Sequence, residues 1–321
     1  MANLLSLLLP IFILMAVGFV AVRARLVPEQ IVEALGSFVL NFALPALILH
    51  ALLGQDLRQT FNWNYVLAYA AGSIAAFAAA VFLFRTVLKK PLTHAAAGAL
   101  GAASSNSAFV GFPVASLALG APALTALPLS MLVENILIIP LALALGEIGR
   151  NEGRPIGEIA LHTFGRLART PFLLAIPLGI ILSALGLQPP APLATALEMM
   201  ADASIPCALF VVGGTLATLR ASAVAGDVLW IVLGKLVLHP LAVAFAFVMI
   251  GGVPAELVAA GIILASAPML TIYPILAGRL GHDEMAAAAL LVATALSFAT
   301  LTLALGLVLP EAAGPSAWYS F

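Results

Sequence analysis

What most constrains this chain is the recurrence of apolar stretches long enough to cross a lipid bilayer. A spanning helix needs about 20 mostly apolar residues. Ten stretches meet that length, near 3–22, 32–54, 63–87, 94–119, 122–146, 168–187, 193–219, 226–250, 255–279 and 285–309. Only 8% of the 321 residues are charged and 63% are hydrophobic, whereas a soluble domain carries roughly 25% charged residues. No soluble fold of this length can hide so much apolar surface. In hydrocarbon every backbone polar group must be satisfied internally, which selects helices. The chain therefore reads as an all-α membrane protein of ten transmembrane helices. The longest connection, around 147–167, leaves no room for a soluble domain.

The first stretch is expected to be a span rather than a secretory leader, because no basic residue precedes it and Arg23 and Arg25 follow it; a leader carries its charge in front. Basic residues then orient the chain, since they favour cytoplasmic loops. One side collects Arg23, Arg25, Arg85, Lys89, Lys90, Arg150, Arg154, Arg166, Arg169, Arg220 and Arg279; the other has only Arg58. Lys235 falls inside a predicted helix. Both termini are expected to be extracytoplasmic.

Several function classes drop out. The single cysteine, Cys207, excludes an internal disulfide and a multi-cysteine metal site. A net charge of −1 offers nucleic acid no basic face. With no nucleotide-binding loop, metal cluster or catalytic domain legible, neither an enzyme nor an ATP-driven pump is expected, and no cofactor or metal beyond a coupling H+ or Na+.

Prolines recur at a fixed offset. Pro10, Pro28, Pro45 and Pro113 each have a counterpart 161 residues on, at Pro171, Pro189, Pro206 and Pro274; Gly18 matches Gly179, and Leu119-Gly120 matches Leu280-Gly281. This divides the chain into 1–150 and 151–321, five helices each, and an odd number makes the halves inverted. Inverted repeats mark secondary transporters, with sites where broken helices meet at midplane.

The fourth segment contains such a break, SSNSAFVGFP from Ser104 to Pro113, and its counterpart in the ninth is APMLTIYP from Ala267 to Pro274. Pro113, Pro268 and Pro274 cannot donate to the carbonyls of Phe109, Leu264 and Leu270, and unpaired carbonyls are tolerated at membrane depth only inside protein or along a cavity. Two antiparallel broken helices are expected to cross there. The N-terminus of each second half would receive an anion, with Ser104, Ser105, Asn106, Ser107, Gly111, Pro113, Pro268 and Pro274 around it. The serines could instead bond back to helix carbonyls. Asn41, four residues before Pro45, joins the binding candidates.

Ionisable residues at membrane depth are functional candidates. Glu134, beside Asn135, and Asp202 are the carboxylates well inside a span; Lys235 and His239 share one helix face at i and i+4. These five are the ion-coupling candidates. The expectation pairs Lys235 with Asp202 and leaves Glu134 to carry a proton. His239 has the competing reading of a packed or water-facing ring.

The run N-S-A-F-V-G-F-P-V from Asn106, with Leu119-Gly120, resembles the fourth-helix signature of the auxin efflux carrier family; LLPIFILMAVGFVAVRARLVPE and SFVLNFALPALIL resemble that family's first two helices. The resemblance covers the whole chain. It implies a bacterial inner-membrane carrier of organic anions such as malonate or auxin-like acids, coupled to protons or other ions. It also implies interleaved scaffold and transport subdomains, a fold similar to bile-acid/sodium symporters and cation/proton antiporters, and a homodimer, since family members often dimerise. The plant members pair Asn directly with Pro at both crossings; here Ala267 precedes Pro268, so Thr271 or Tyr273 is expected to replace the second Asn. The competing functions are a cation/proton antiporter and a non-transporting membrane sensor or scaffold.

Overall fold

A computed structural model describes residues 2–53, 62–150, 171–187, 189–219 and 226–312. Most of the 147–167 connection and the C-terminal residues lie outside this range. The described residues form helices and turns and contain no strand. Among the described residues, seven helical stretches are long and apolar enough to span a membrane, making this a multi-pass membrane protein.

In chain order the elements are α1 (Ala2–Arg23), α2 (Glu29–Leu53), α3 (Trp63–Val87), α4 (Leu92–Ala103), α5 (Phe112–Leu119), α6 (Ala121–Gly149), α7 (Pro171–Ala184), α8 (Ala191–Thr218), α9 (Gly226–Ile250), α10 (Ala255–Ser266), α11 (Tyr273–Gly278) and α12 (Asp283–Ala312). The fourth predicted segment is thus the pair α4 and α5, and the ninth is α10 and α11. Pro28, Pro91, Pro190 and Pro254 each stand immediately before a helix, where a missing N–H costs nothing and φ is already helical. Gly120, with φ at +66°, makes the abrupt turn between α5 and α6.

Among the described residues, five π turns interrupt or flank the helices, at Val39–Ala43, Leu83–Val87, Ser107–Gly111, Glu134–Ile138 and Gly234–Leu238. Four of them end two residues before a proline: Pro45, Pro113, Pro140 and Pro240. A proline ring inside a helix clashes with the carbonyl four residues back, and widening the turn just ahead moves that carbonyl aside. The same four turns carry Asn41, Ser107, Glu134 and Lys235. π turns of this kind concentrate at functional sites.

Two packing groups emerge. α1 lies along the second half of α8, and α2 lies against α7 and α8. α3 packs on α4 and α9, and α10 packs on α6, α9 and α12. The α1–α8 contact is backbone on backbone: a Cβ at Gly18 would strike the Phe210 carbonyl, and one at Gly213 the Met15 carbonyl. Small residues permit that approach between membrane helices, where dispersion rather than hydrophobic exclusion drives association.

Candidate functional site

The site is built at the break between α4 and α5. α4 ends when Ser104 turns extended, at φ −107° and ψ 141°. The helix restarts at Asn106, whose carbonyl accepts the N–H groups of Val110 and Gly111 at 3.0 Å each. Asn106 therefore occupies the cap position. By helix geometry the amides of Ser107, Ala108 and Phe109 have no acceptor within the helix. The break is deeply enclosed: Ser104 and Ser105 are 0% exposed, Ser107 1% and Asn106 3%.

The second break lies directly against the first. The Asn106 N–H donates to the Pro268 carbonyl at 2.7 Å, and the Asn106 side-chain amide donates to the Thr271 hydroxyl at 2.6 Å. Gly111 is needed for this approach: a Cβ there would come within 3.2 Å of the Leu264 Cα and 3.3 Å of the Ala267 Cβ. Pro113, Pro268 and Pro274 are all buried around the crossing. Of the two expected stand-ins for a second Asn, Thr271 is the one that meets Asn106. Tyr273 instead donates from its hydroxyl to the Ala97 carbonyl at 3.0 Å, inside the α4 packing.

The second half-helix differs from expectation. α11 has only six residues, too few to build the dipole that a spanning half-helix would offer. Two carbonyls expected to be freed by proline are also occupied: Leu264 accepts the Ala267 N–H at 3.3 Å, and Leu270 accepts the Tyr273 N–H at 2.9 Å. The chain tightens locally instead of leaving these groups open. Amide donors for an anion are thus concentrated on the α5 side.

Beside the crossing runs a buried polar network. The Lys235 ammonium donates to the Ser105 hydroxyl at 2.5 Å and the Ala265 carbonyl at 2.8 Å, and meets His239 Nδ1 at 2.7 Å. His239 Nε2 lies 2.9 Å from the Ser73 hydroxyl. Glu134 Oε1 accepts from the Ser107 hydroxyl at 2.7 Å and the Tyr69 hydroxyl at 2.9 Å. Among the described residues no direct ion pair joins Lys235 and Glu134. Ser105 and Ser107, two residues apart on the break, stand between.

This corrects the expected pairing. Asp202 is exposed at the interruption of α8 and makes no ion pair among the described residues; the acid that faces Lys235 is Glu134. His239 is a bonded member of the network, neither merely packed nor facing water. Asn41 donates to the carbonyl and hydroxyl of Ser37 at 2.9 Å and 3.0 Å, and Asn135 donates to the Met131 carbonyl at 2.8 Å. Each is turned back on its own helix and away from the crossing. Ser104 likewise bonds back, to the Leu100 carbonyl at 2.6 Å, while Ser105 and Ser107 serve the network.

Two participants, and one neighbour of the site, had no strong sequence signal. Tyr69 and Ser73 sit one turn apart on α3 among alanines, and only packing turns them towards α6 and α9. Ser204, 1% exposed, has a hydroxyl with no hydrogen-bond partner among the described residues. It opens the half of α8 that packs on the Ser107–Gly111 turn. Its place two residues before Pro206 was its one available mark.

A chain of apolar helices, broken at two facing points around an asparagine and a buried charge pair, has the make-up of a membrane carrier. The sequence comparisons agree: the profile of the membrane transport protein family matches residues 4–152 and 149–305, and the chain belongs to that family, the auxin efflux carriers. It is 30% identical over 307 residues, 94% of its own length and 95% of the relative's, to a Rhizobium meliloti (strain 1021) protein named "Putative malonate transporter". It is 27% identical over 243 residues to the "Uncharacterized transporter YfdV" of Escherichia coli (strain K12), covering 73% of this chain and 75% of that one. Its family consists of transporters, not enzymes.

Proposed function

We propose that this protein is a secondary active carrier of a small organic anion, a dicarboxylate such as malonate, working by alternating access with proton symport. The observation that carries the reading is the Asn106 bridge, which ties the two broken helices together through Pro268 and Thr271. A carboxylate placed there is offered the amides of Ser107, Ala108 and Phe109 at a helix start, with the Asn106 amide and Thr271 hydroxyl beside them. The name of the Rhizobium relative favours malonate over an auxin-like acid. In this reading the ten segments form two inverted repeats in a bacterial inner membrane, and the α1–α2–α7–α8 group is the scaffold past which the crossing moves.

Coupling follows from charge. With Glu134 ionised, Glu134 and Lys235 sum to zero. A proton on Glu134 leaves the lysine charge unbalanced beside the crossing, which offsets the charge of an arriving anion. Proton and anion therefore favour each other's entry, which is symport. The antiporter reading needs paired carboxylates at the crossing, and among the described residues only Glu134 joins the network.

The test is thermal unfolding of purified protein across a panel of mono- and dicarboxylates, since a ligand of the folded state raises stability by mass action. Malonate should shift the transition, and Asn106→Ala should lose that shift while unfolding cooperatively. Normal malonate binding by Asn106→Ala places the site elsewhere; no response to any anion, with no solute flux in proteoliposomes, favours the sensor reading.

A further inference from the structure

We propose that Lys235 is a built-in cation, its ammonium filling a site at the crossing that the Ser105 hydroxyl and the Ala265 carbonyl would otherwise present to a diffusible monovalent cation. An ammonium has three protons and no acceptor capacity. Here each proton has a taker: the Ser105 hydroxyl, the Ala265 carbonyl and His239 Nδ1. Lys235 is 0% exposed, so its shell is drawn from the protein groups around it. It is saturated and has no proton left for a substrate carboxylate.

The acceptors are of the kind a small cation takes. Ala265 lies one residue before the end of α10. Its carbonyl is among the last four of the helix, which lack an intrahelical donor and form the negative end of the dipole. Carbonyls at the ends of unwound membrane helices are the groups that hold coupling ions in transporters. The Ser105 hydroxyl lies 3.5 Å from the same carbonyl, and the Glu134 carboxylate supplies the compensating charge.

The protein has made room for this arrangement. Gly234 brings α9 onto α4, where a Cβ would sit 2.8 Å from that of Ala102. His239 accepts at Nδ1, so its own proton is on Nε2 and is given to Ser73 at 2.9 Å. The ring is then uncharged while the lysine is charged, and it steers the ammonium from one turn further along the helix. The consequence is that sodium has no place in the cycle, because a tethered cation already fills the position. Only this consequence for transport rests on the proposed carrier function; the site itself is tested without substrate.

The experiment compares thermal unfolding of full-length wild type, Lys235→Ala and Lys235→Met in sodium chloride and in choline chloride of equal ionic strength. Wild type should unfold at the same temperature in both. Lys235→Ala, with the ammonium and its stem removed, should be destabilised in choline and recover saturably by several degrees with rising sodium. Lys235→Met, whose side chain fills the space, should stay sodium-insensitive. Stabilisation of wild type by sodium overturns the proposal. So does an Ala variant that unfolds alike in both salts or cannot be recovered folded in either, or a Met variant that responds as strongly as Ala. A malonate titration on the same wild-type sample reports separately on anion binding.

Discussion

At the residue scale the buried charges do not follow the 161-residue offset of the prolines. Glu134 and Lys235 have Ala295 and Ile74 at the corresponding positions 161 residues away. The frame can repeat, but a charge pair at one crossing needs only one acid and one base. Leaving one member of a buried pair alone costs about 3–5 kcal/mol, whereas exchanging both for neutral groups of similar volume is often close to neutral. Glu134→Gln and Lys235→Met should therefore each lower the unfolding temperature, and the double variant should be more stable than either single one. A double-mutant cycle of thermal unfolding measures this; additive losses would show that the two charges do not act as a pair. For transport, Glu134→Gln should abolish the pH dependence of labelled malonate uptake into proteoliposomes, because Gln keeps an acceptor for Ser107 and Tyr69 but takes up no proton. Unchanged proton-driven uptake would remove Glu134 from coupling.

At the scale of elements, close helix approach and proline-linked π turns shape the interior. In a helix interior, alanine is favoured over glycine by about 1 kcal/mol, so an unobstructed Gly→Ala exchange stabilises. At Gly213 the added carbon would meet the Met15 carbonyl. Backbone cannot step aside as a flexible side chain can, and overpacking typically costs about 1–3 kcal/mol; the clash wins over propensity. Gly213→Ala should thus lower the unfolding temperature by several degrees. Gly36→Ala is the control: there the nearest atom is the Val211 Cγ1 at 3.4 Å, and stability should hold or rise slightly. Equal behaviour of the two variants in thermal scans would mean that α1 and α8 are not in backbone contact.

For the whole molecule, the one-sided placement of basic residues predicts a topology. The turn with Lys89 should face the cytoplasm, and the start of α10, with Glu256 in its first turn, the opposite side. Both residues are exposed. In a Cys207→Ala background, Lys89→Cys should react with a membrane-impermeant maleimide only after the inner face is opened, and Glu256→Cys should react in intact cells. The reverse labelling would invert the orientation.

A helical membrane protein, with breaks in its fourth and ninth apolar segments, was legible in the residues alone. These follow from local rules: apolar length sets a span, proline removes a donor, and a polar run inside an apolar segment must have a partner. The pairing of Asn106 with Thr271, 165 residues away, was half legible, since a missing second Asn called for a nearby polar substitute. That Lys235 faces Glu134 rather than Asp202, that His239 bonds Ser73, and that Tyr69 reaches the acid on α6 emerged from the packing of the helices. Those contacts join different helices, and a helix's sequence specifies its face but not its neighbour or its rotation against that neighbour. Both are decided by close packing, here by glycines such as Gly234 and Gly111 that let two backbones approach at one register and no other. The short α11 and the bonded carbonyls beside it have the same origin: the chain around the second break relaxes to satisfy its polar groups, and which bonds it finds depends on what is packed against it.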